Sequence, residues 1–302
     1  MKTRSALLLA AFAAFATVPA FSATPQDDWN VYVVKKIAHW GTDPHAILKL
    51  QDAAYLGDGD QATLVGAKGN PTSWHWSSDA KAQGPLHVVL SHGKFTVTLN
   101  GQPVEGINKS IPVDTDVDVY GEPTPIAAGI DGWRVFVYDQ KATSAVKFTG
   151  LGFYPYDPAF RVQAKYIPDP KLATTTFHTS HKSDKDYYHT GDAVFTLKGK
   201  TFRLPIFARS NDPAQIRGAQ GFFTDEMTGK GAYGAGRYID ISFDKTDNKV
   251  DADHQITLDF NDAYNPDCAR SPFWTCPLTD VHFDLPFTVG ERDPHSMQAH
   301  EG

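Results

Sequence analysis

The sequence has 302 residues, of which 41% are hydrophobic and 21% are charged, a composition that excludes acidic disordered, collagen-like and disulfide-dense chains. The 28 basic and 35 acidic residues give a net charge of −7. This charge argues against sequence-independent nucleic-acid binding, because that binding needs clustered lysine and arginine to displace counterions from phosphates. The length allows two ordinary domains or one large β domain.

Residues 1–23 are predicted to be a secretory signal peptide. Lys2 and Arg4 provide a positive start, residues 6–17 are almost wholly apolar, and small residues follow at Ala20 and Ala23, each of which offers a cleavage site. The apolar run is shorter than the roughly 20 residues that span a bilayer. We therefore expect a mature protein that is periplasmic or secreted and has no membrane span.

A single N-terminal helix is predicted directly after the signal peptide. Thr24 can cap the helix, Pro25 suits its first position, and two aspartates follow in the first turn, where the helix dipole favours negative charge. Apolar side chains recur at helical spacing until Gly41, at Trp29, Val33, Ile37 and Trp40. The helix is expected to pack on a sheet.

The hydrophobic period then changes from 3.6 to 2, which indicates β-strands. Strands are expected over residues 94–99, 133–138, 160–167, 193–197, 201–207, 236–243 and 254–260. Their density, without intervening helices, predicts a mainly β fold, an antiparallel β-sandwich or barrel-like architecture with a short N-terminal helix. An interruption near residues 150–158 suggests two β subdomains, 24–155 and 156–291, before a polar tail at 292–302.

The densest polar constellation lies late in the chain and consists of Asp225, Arg237, Asp259, Asn261, Tyr264 and Asn265. If the strand that starts at Arg237 pairs with the strand that ends at Asp259 across an Asp247-Asn248 turn, these side chains meet. One interpretation is a cleft that binds a small polar ligand, such as a saccharide or an envelope fragment. A second is a hydrolase-like site, with Asp225 or Asp259 as general base and Arg237 holding developing charge. A third is a buried network that only stabilises a loop.

Two other motifs have competing interpretations. Trp74 and Trp76 would share one face of a strand, either as a platform for sugar rings or as core residues. His178 and His181 are spaced for a metal, but the polar sequence around them is typical of an exposed loop. No metal site is predicted, and the residues indicate neither a cofactor nor an oligomeric state.

Cys268 and Cys276 are the two cysteines of the chain. In an oxidising compartment they would close a small disulfide loop, which typically stabilises a fold by about 2–3 kcal/mol. A free thiol and half of a metal site are the alternatives, although the spacing is wider than that of a Cys-x-x-Cys motif.

The late motifs resemble the bacterial family described as domain of unknown function 1684. The matching segments are Phe223-Thr224-Asp225, Thr228-Gly229, residues 233–238, Asp259-Phe260-Asn261, residues 263–266, Cys268, Cys276-Pro277-Leu278 and Gly290-Glu291. The N-terminal helix with Trp29, followed by Tyr55-Leu56 and Gly59, is similar to the opening of that family. The resemblance implies a recognised module, to which the family assigns no activity.

Overall fold

The computed structural model describes residues 24–127, 130–179, 184–243 and 253–293. The predicted signal peptide, the Asp247-Asn248 turn, His181 and the tail beyond residue 293 lie outside the described residues. Within these ranges the chain is mainly antiparallel β-structure with several sheets and one long N-terminal helix. The predicted fold class is therefore confirmed.

Helix α1 spans Pro25–Ile37 and begins where the capping residues predict. The Thr24 hydroxyl accepts a hydrogen bond from the backbone N–H of Asp27, and the Asp27 carboxylate accepts one from the Thr24 backbone. This reciprocal capping box satisfies two otherwise unpaired donors. The chain continues through a π-helical turn over Ala38–Thr42. None of the described helices is long and apolar enough to cross a membrane.

The first half of the chain forms two antiparallel sheets. A four-stranded sheet has the order β1-β9-β8-β7, and a five-stranded sheet has the order β3-β2-β4-β5-β6. Their strands are β1 (Leu50–Leu56), β2 (Gln61–Ala67), β3 (Asn70–Ser77), β4 (Leu86–Ser91), β5 (Lys94–Leu99), β6 (Gln102–Val104), β7 (Ile111–Asp114), β8 (Val117–Ala127) and β9 (Ile130–Asp139). The sheets pack on a shared core that includes Leu64, Trp74, Val88 and Val135.

The second half forms one eight-stranded sheet with the order β15-β14-β13-β12-β10-β16, to which β11 and β17 add at β12 and β14. These strands are β10 (Arg161–Pro168), β11 (Thr174–His178), β12 (Asp184–Leu197), β13 (Lys200–Ala208), β14 (Gly218–Asp225), β15 (Arg237–Ser242), β16 (His254–Asp259) and β17 (His282–Phe283). The core of this half contains a phenylalanine cluster of Phe160, Phe195, Phe223, Phe260, Phe283 and Phe287. This core gives the surface clefts a rigid support.

The expected pairing of β15 with β16 does not occur among the described residues. Strand β15 pairs with β14, and β16 pairs with β10, so the two strands lie at opposite ends of the sheet order. The outer edge of β15 instead meets the segment after β16, where Tyr238 and Tyr264 exchange backbone hydrogen bonds of 2.9 Å. The two strands therefore face one cleft without forming the hairpin that the sequence suggested.

Helix α1 docks on the second half of the chain. The Trp29 indole Nε1 donates to the carbonyl of Asn261 at 3.0 Å, and the Tyr32 hydroxyl donates to the carbonyl of Asp262 at 2.6 Å. These contacts place the helix on the 3₁₀ turn Phe260–Asp262 that directly follows β16, more than 200 positions away in sequence. The expectation that the helix packs on a sheet stays a prediction. The predicted subdomain boundary near residue 155 stays a prediction, since α1 precedes that boundary and packs beyond it.

Candidate ligand-binding cleft

Asp225 and Arg237 form an ion pair that is closed to solvent. Both side chains are only 1% exposed, and the Arg237 guanidinium donates to the Asp225 carboxylate and to the carbonyls of Phe287 and Val289. The other Asp225 oxygen accepts the Met227 backbone N–H at 2.7 Å. This geometry corrects the expected single cleft, because neither Asp225 nor Arg237 presents a polar group to an open site.

Asn265 is also removed from solvent, in a second buried cluster. Its backbone N–H donates to the Glu291 carboxylate at 3.0 Å, and its side-chain amide donates to the carbonyl of Arg292 at 2.8 Å. Glu291 pairs with Arg270 at 3.3 Å, and complete burial raises the pKa of Glu291. The cluster fastens the last described segment to the sheet and does not line a cavity with Asp259.

The remaining predicted residues lie in or beside a polar cleft of about 430 Å³ between helix α1 and strands β10, β15 and β16. Four of its residues are aspartates and one is an arginine, so its charge is predominantly negative. The cleft is lined by Pro25, Asp28, Trp29, Arg161, Asp240, Ile241, Ser242, Gln255, Ile256, Thr257, Asp259 and Asp262. We call it the acidic cleft.

Asp259 ends β16 and caps the short 3₁₀ turn that follows. Its Oδ1 accepts hydrogen bonds from the Asn261 side-chain amide at 2.7 Å and from the Asn261 backbone at 3.1 Å, while Oδ2 lies 3.3 Å from Arg161 Nε. Burial raises the pKa of Asp259, and the Asn261 hydrogen bonds and Arg161 oppose that shift. Asn261 therefore positions the carboxylate without lining the cleft itself.

Asp262 is the main residue of the acidic cleft that the sequence analysis missed. Burial raises its pKa to about 7, and the neighbouring Asp259 carboxylate adds to the shift. Its Oδ1 is buried and has no hydrogen-bond partner among the described residues. The sequence did contain a signal for Asp262, because it lies three residues after Asp259. Side chains three residues apart lie on the same side of a 3₁₀ turn.

Asp240 forms the opposite wall, and Tyr264 positions it. The Tyr264 hydroxyl and the Gln220 amide both donate to Asp240 Oδ1, at 2.8 and 2.9 Å. The Lys36 ammonium lies 3.3 Å from the centre of the Tyr264 ring, and burial lowers the pKa of Lys36. Tyr264 thus links helix α1 to the cleft wall, which is a supporting role.

The surroundings of the two tryptophans and of the two cysteines decide between the interpretations given for each pair. Trp74 is buried, and Trp76 packs against the same core, so the pair does not form an exposed sugar platform. Cys268 and Cys276 are not joined by a disulfide, and the Cys268 backbone N–H donates to Cys276 Sγ at 3.3 Å. The structure therefore holds the cysteines as adjacent thiols, without the predicted bridge.

Within the described ranges, no three histidine, cysteine, aspartate or glutamate side chains are grouped to hold a metal ion. His178 contacts Asp184 at 2.7 Å on an exposed strand end.

The geometry defines a mainly antiparallel β-protein with a carboxylate-lined cleft. Residues 146–292 match the family model described as "Protein of unknown function (DUF1684)", and the chain belongs to that family. The solution NMR structure of an uncharacterized protein from Haloarcula marismortui is 30% identical, and the match covers 49% of this chain and 79% of that chain with a TM-score of 0.41. No curated protein matches the sequence.

Proposed function

We propose that the acidic cleft binds a small polar ligand rich in hydroxyl or amino groups, such as an amino sugar or another saccharide fragment of the cell envelope. The observation that carries the proposal is the convergence of the Asp240, Asp259 and Asp262 side chains with Arg161 in one cleft of about 430 Å³. Cavities of this size are typical of small-molecule sites. Carboxylates accept hydrogen bonds from sugar hydroxyls, and the Trp29 indole adds an apolar surface.

The charge of the cleft favours a neutral or cationic ligand over an anionic one. Arg161 is already paired with Asp259, whereas Asp262 Oδ1 has no partner among the described residues. A ligand ammonium or hydroxyl in the cleft would donate to the aspartate oxygens that face it. We therefore expect glucosamine to bind more tightly than N-acetylglucosamine, in which the amine is neutralised.

A hydrolase in the same cleft is the second candidate, and the pKa of Asp262 favours it. A carboxylic acid with a pKa of about 7 beside a second carboxylate is a typical arrangement for general acid catalysis. In this proposal Asp262 protonates the leaving-group oxygen and Asp259 assists as base or charge stabiliser. Asp225, predicted from the sequence as one of two candidate bases, and Arg237, predicted to hold developing charge, have no part in this proposal because they form a buried ion pair.

The experiment is a ligand titration of the purified mature protein, followed by NMR and by thermal shift. Glucose, glucosamine and N-acetylglucosamine are the probes, and Asp259→Asn is expected to weaken binding at least tenfold because it removes a cleft carboxylate. Asp79→Asn removes the same charge from an exposed turn far along the chain and should bind like the wild type. Equal affinity of Asp259→Asn and the wild type would contradict the proposal.

We propose in addition that the protein is exported, as the charged start and apolar run of residues 1–23 indicate. When the full-length gene is expressed in a Gram-negative host, intact-mass analysis of the periplasmic fraction is expected to show a chain that begins at Phe21 or Thr24. An unprocessed chain confined to the cytoplasm would contradict this prediction. A start at Thr24 would leave the capping box of α1 complete.

A further inference from the structure

A second groove adjoins the acidic cleft and is the larger of the two. Its volume is about 580 Å³, against about 430 Å³ for the acidic cleft, and Asp240, Ile241 and Ser242 of β15 line both. Because one strand borders both openings, a single extended ligand can contact both. We call the second opening the arginine groove, after the first of its other polar lining residues, which are Arg209, Ser210, Gln215, Arg217 and Gln220.

The arginine groove opens where β13 and β14 separate. The last pair between these strands is Phe207 with Gln220, although β13 continues to Ala208 and β14 begins at Gly218. On its other edge β14 stays paired with β15 as far as Gly218 and Ser242. The groove is therefore bounded by the segment that leaves β13 on one side and by a paired two-stranded ribbon on the other.

Arg209 differs in its partners from most arginines of the described chain. It is exposed at the groove, its guanidinium lies 5.9 Å from the centre of the Tyr187 ring, and no described carboxylate forms an ion pair with it. A guanidinium can donate two parallel hydrogen bonds to one carboxylate, so Arg209 is suited to an anionic group of a ligand. Five arginines are instead paired with a carboxylate of the chain, namely Arg134, Arg161, Arg203, Arg237 and Arg270.

The two openings differ in charge. Four aspartates and one arginine line the acidic cleft, whereas two arginines and one aspartate line the groove. The shared aspartate is Asp240, and the sheet register places Gln220 between Asp240 and Phe207, two residues before Arg209. Two strand spacings, about 10 Å, therefore separate the β15 wall from the strand that leads to Arg209. One sugar ring does not span this distance, but two linked rings do.

We propose that the ligand of the acidic cleft continues into the arginine groove and carries a carboxylate that pairs with Arg209. The ligand class is then a glycan fragment of two or more residues, with an amino sugar at one end and an acidic sugar at the other. This inference rests on the proposed function and adds to it the length and the second charge of the ligand. The hydroxyl of Ser210 and the amide of Gln215 are groups that bind sugar hydroxyls between the two charged ends.

Titrations with a matched pair of disaccharides test the inference. Glucuronyl-glucosamine carries both charges, and glucosyl-glucosamine differs only in having a hydroxymethyl group in place of the carboxylate. For the wild type we expect the Kd of the first to be about tenfold lower, because a hydrogen bond between two charged groups is stronger than one between neutral groups. In NMR spectra, the backbone amides of Ser210 and Gly218 should shift more with the first probe. Equal Kd values would overturn the inference and leave the proposed function standing.

Three variants locate the carboxylate and separate the inference from the proposed function. Arg209→Gln is expected to reduce the ratio of the two Kd values to below about two, whereas Lys94→Gln, which removes an exposed lysine of β5, should keep it. Asp259→Asn should weaken the binding of both probes. An unchanged ratio in Arg209→Gln would show that the carboxylate binds elsewhere and would overturn the inference. If neither disaccharide binds the wild type, the inference and the proposed function fail together.

Discussion

Replacing Arg237 with methionine is expected to lower the free energy of unfolding by about 3–5 kcal/mol, the typical cost of breaking a buried ion pair. The substitution leaves the Asp225 carboxylate buried without its cation and removes donors from the carbonyls of Phe287 and Val289. Urea unfolding of the wild type and of Arg237→Met measures this change. Because Arg237 lies outside the acidic cleft, the folded variant should bind ligand as the wild type does.

The double variant Asp225→Asn/Arg237→Met is the control. Neutralising Asp225 removes the unpaired charge, so part of the lost stability should return, and a double-mutant cycle should show a coupling energy between the two positions. A stable Arg237→Met protein that fails to bind the saccharide probes would contradict this assignment. It would return Arg237 to the role of ligand anchor.

Replacing Asp262 with asparagine is expected to stabilise the protein at pH 8 and to have little effect at pH 4. The pKa of Asp262 rises from 3.8 to about 7 on folding, so the folded state binds the proton more tightly than the unfolded state. The wild type therefore loses stability as the pH rises from about 4 to 7, and the loss is complete above pH 7. Asparagine stays neutral and removes this loss, which amounts to at most about 4 kcal/mol.

Urea unfolding across pH 4–8 measures the expected change in slope, and carbon-detected NMR of the Asp262 carboxyl group measures its titration. Asp259→Asn is the matched variant, because it removes the neighbouring negative charge that contributes to the shift. It should lower the pKa of Asp262 without abolishing the shift, since burial is the larger cause. Identical pH profiles for the wild type and Asp262→Asn would contradict the assignment of this carboxyl group.

The Asp262→Asn variant, which is expected to gain stability at pH 8, is also expected to lose ligand binding. Groups that are unfavourable in the folded state are commonly retained where they serve a site. If Asp262→Asn is both more stable at pH 8 and at least tenfold weaker in saccharide binding, the carboxyl group is retained for binding. If the variant binds normally, the acidic cleft uses Asp259 and Asp240 alone.

Local sequence patterns predicted the fold class and the start of α1 because these features depend on nearby residues. Thr24, Pro25 and Asp27 make the capping box within one turn, and the period of 2 over residues 94–99 produces β5. The family motif could also be recognised in the sequence, and residues 146–292 match the family model.

The candidate site could be predicted only in part. Asp259 lies in the acidic cleft, Asn261 and Tyr264 hold its walls, and Asp225, Arg237 and Asn265 are buried elsewhere. The prediction that these six residues share one cleft required β15 and β16 to form a hairpin. Sheet order is a long-range property, and neighbouring strands in sequence need not be neighbours in the sheet.

The sequence by itself determined that this is a mainly antiparallel β-protein with a capped N-terminal helix and a late run of polar residues. Only the tertiary structure decided which of those polar residues are buried. The helix docks through Trp29 and Tyr32 onto residues 261 and 262, which closes one side of the acidic cleft and partly desolvates Asp262. That desolvation, which depends on contacts between distant segments, distinguishes a carboxyl group poised near neutral pH from an ordinary surface aspartate.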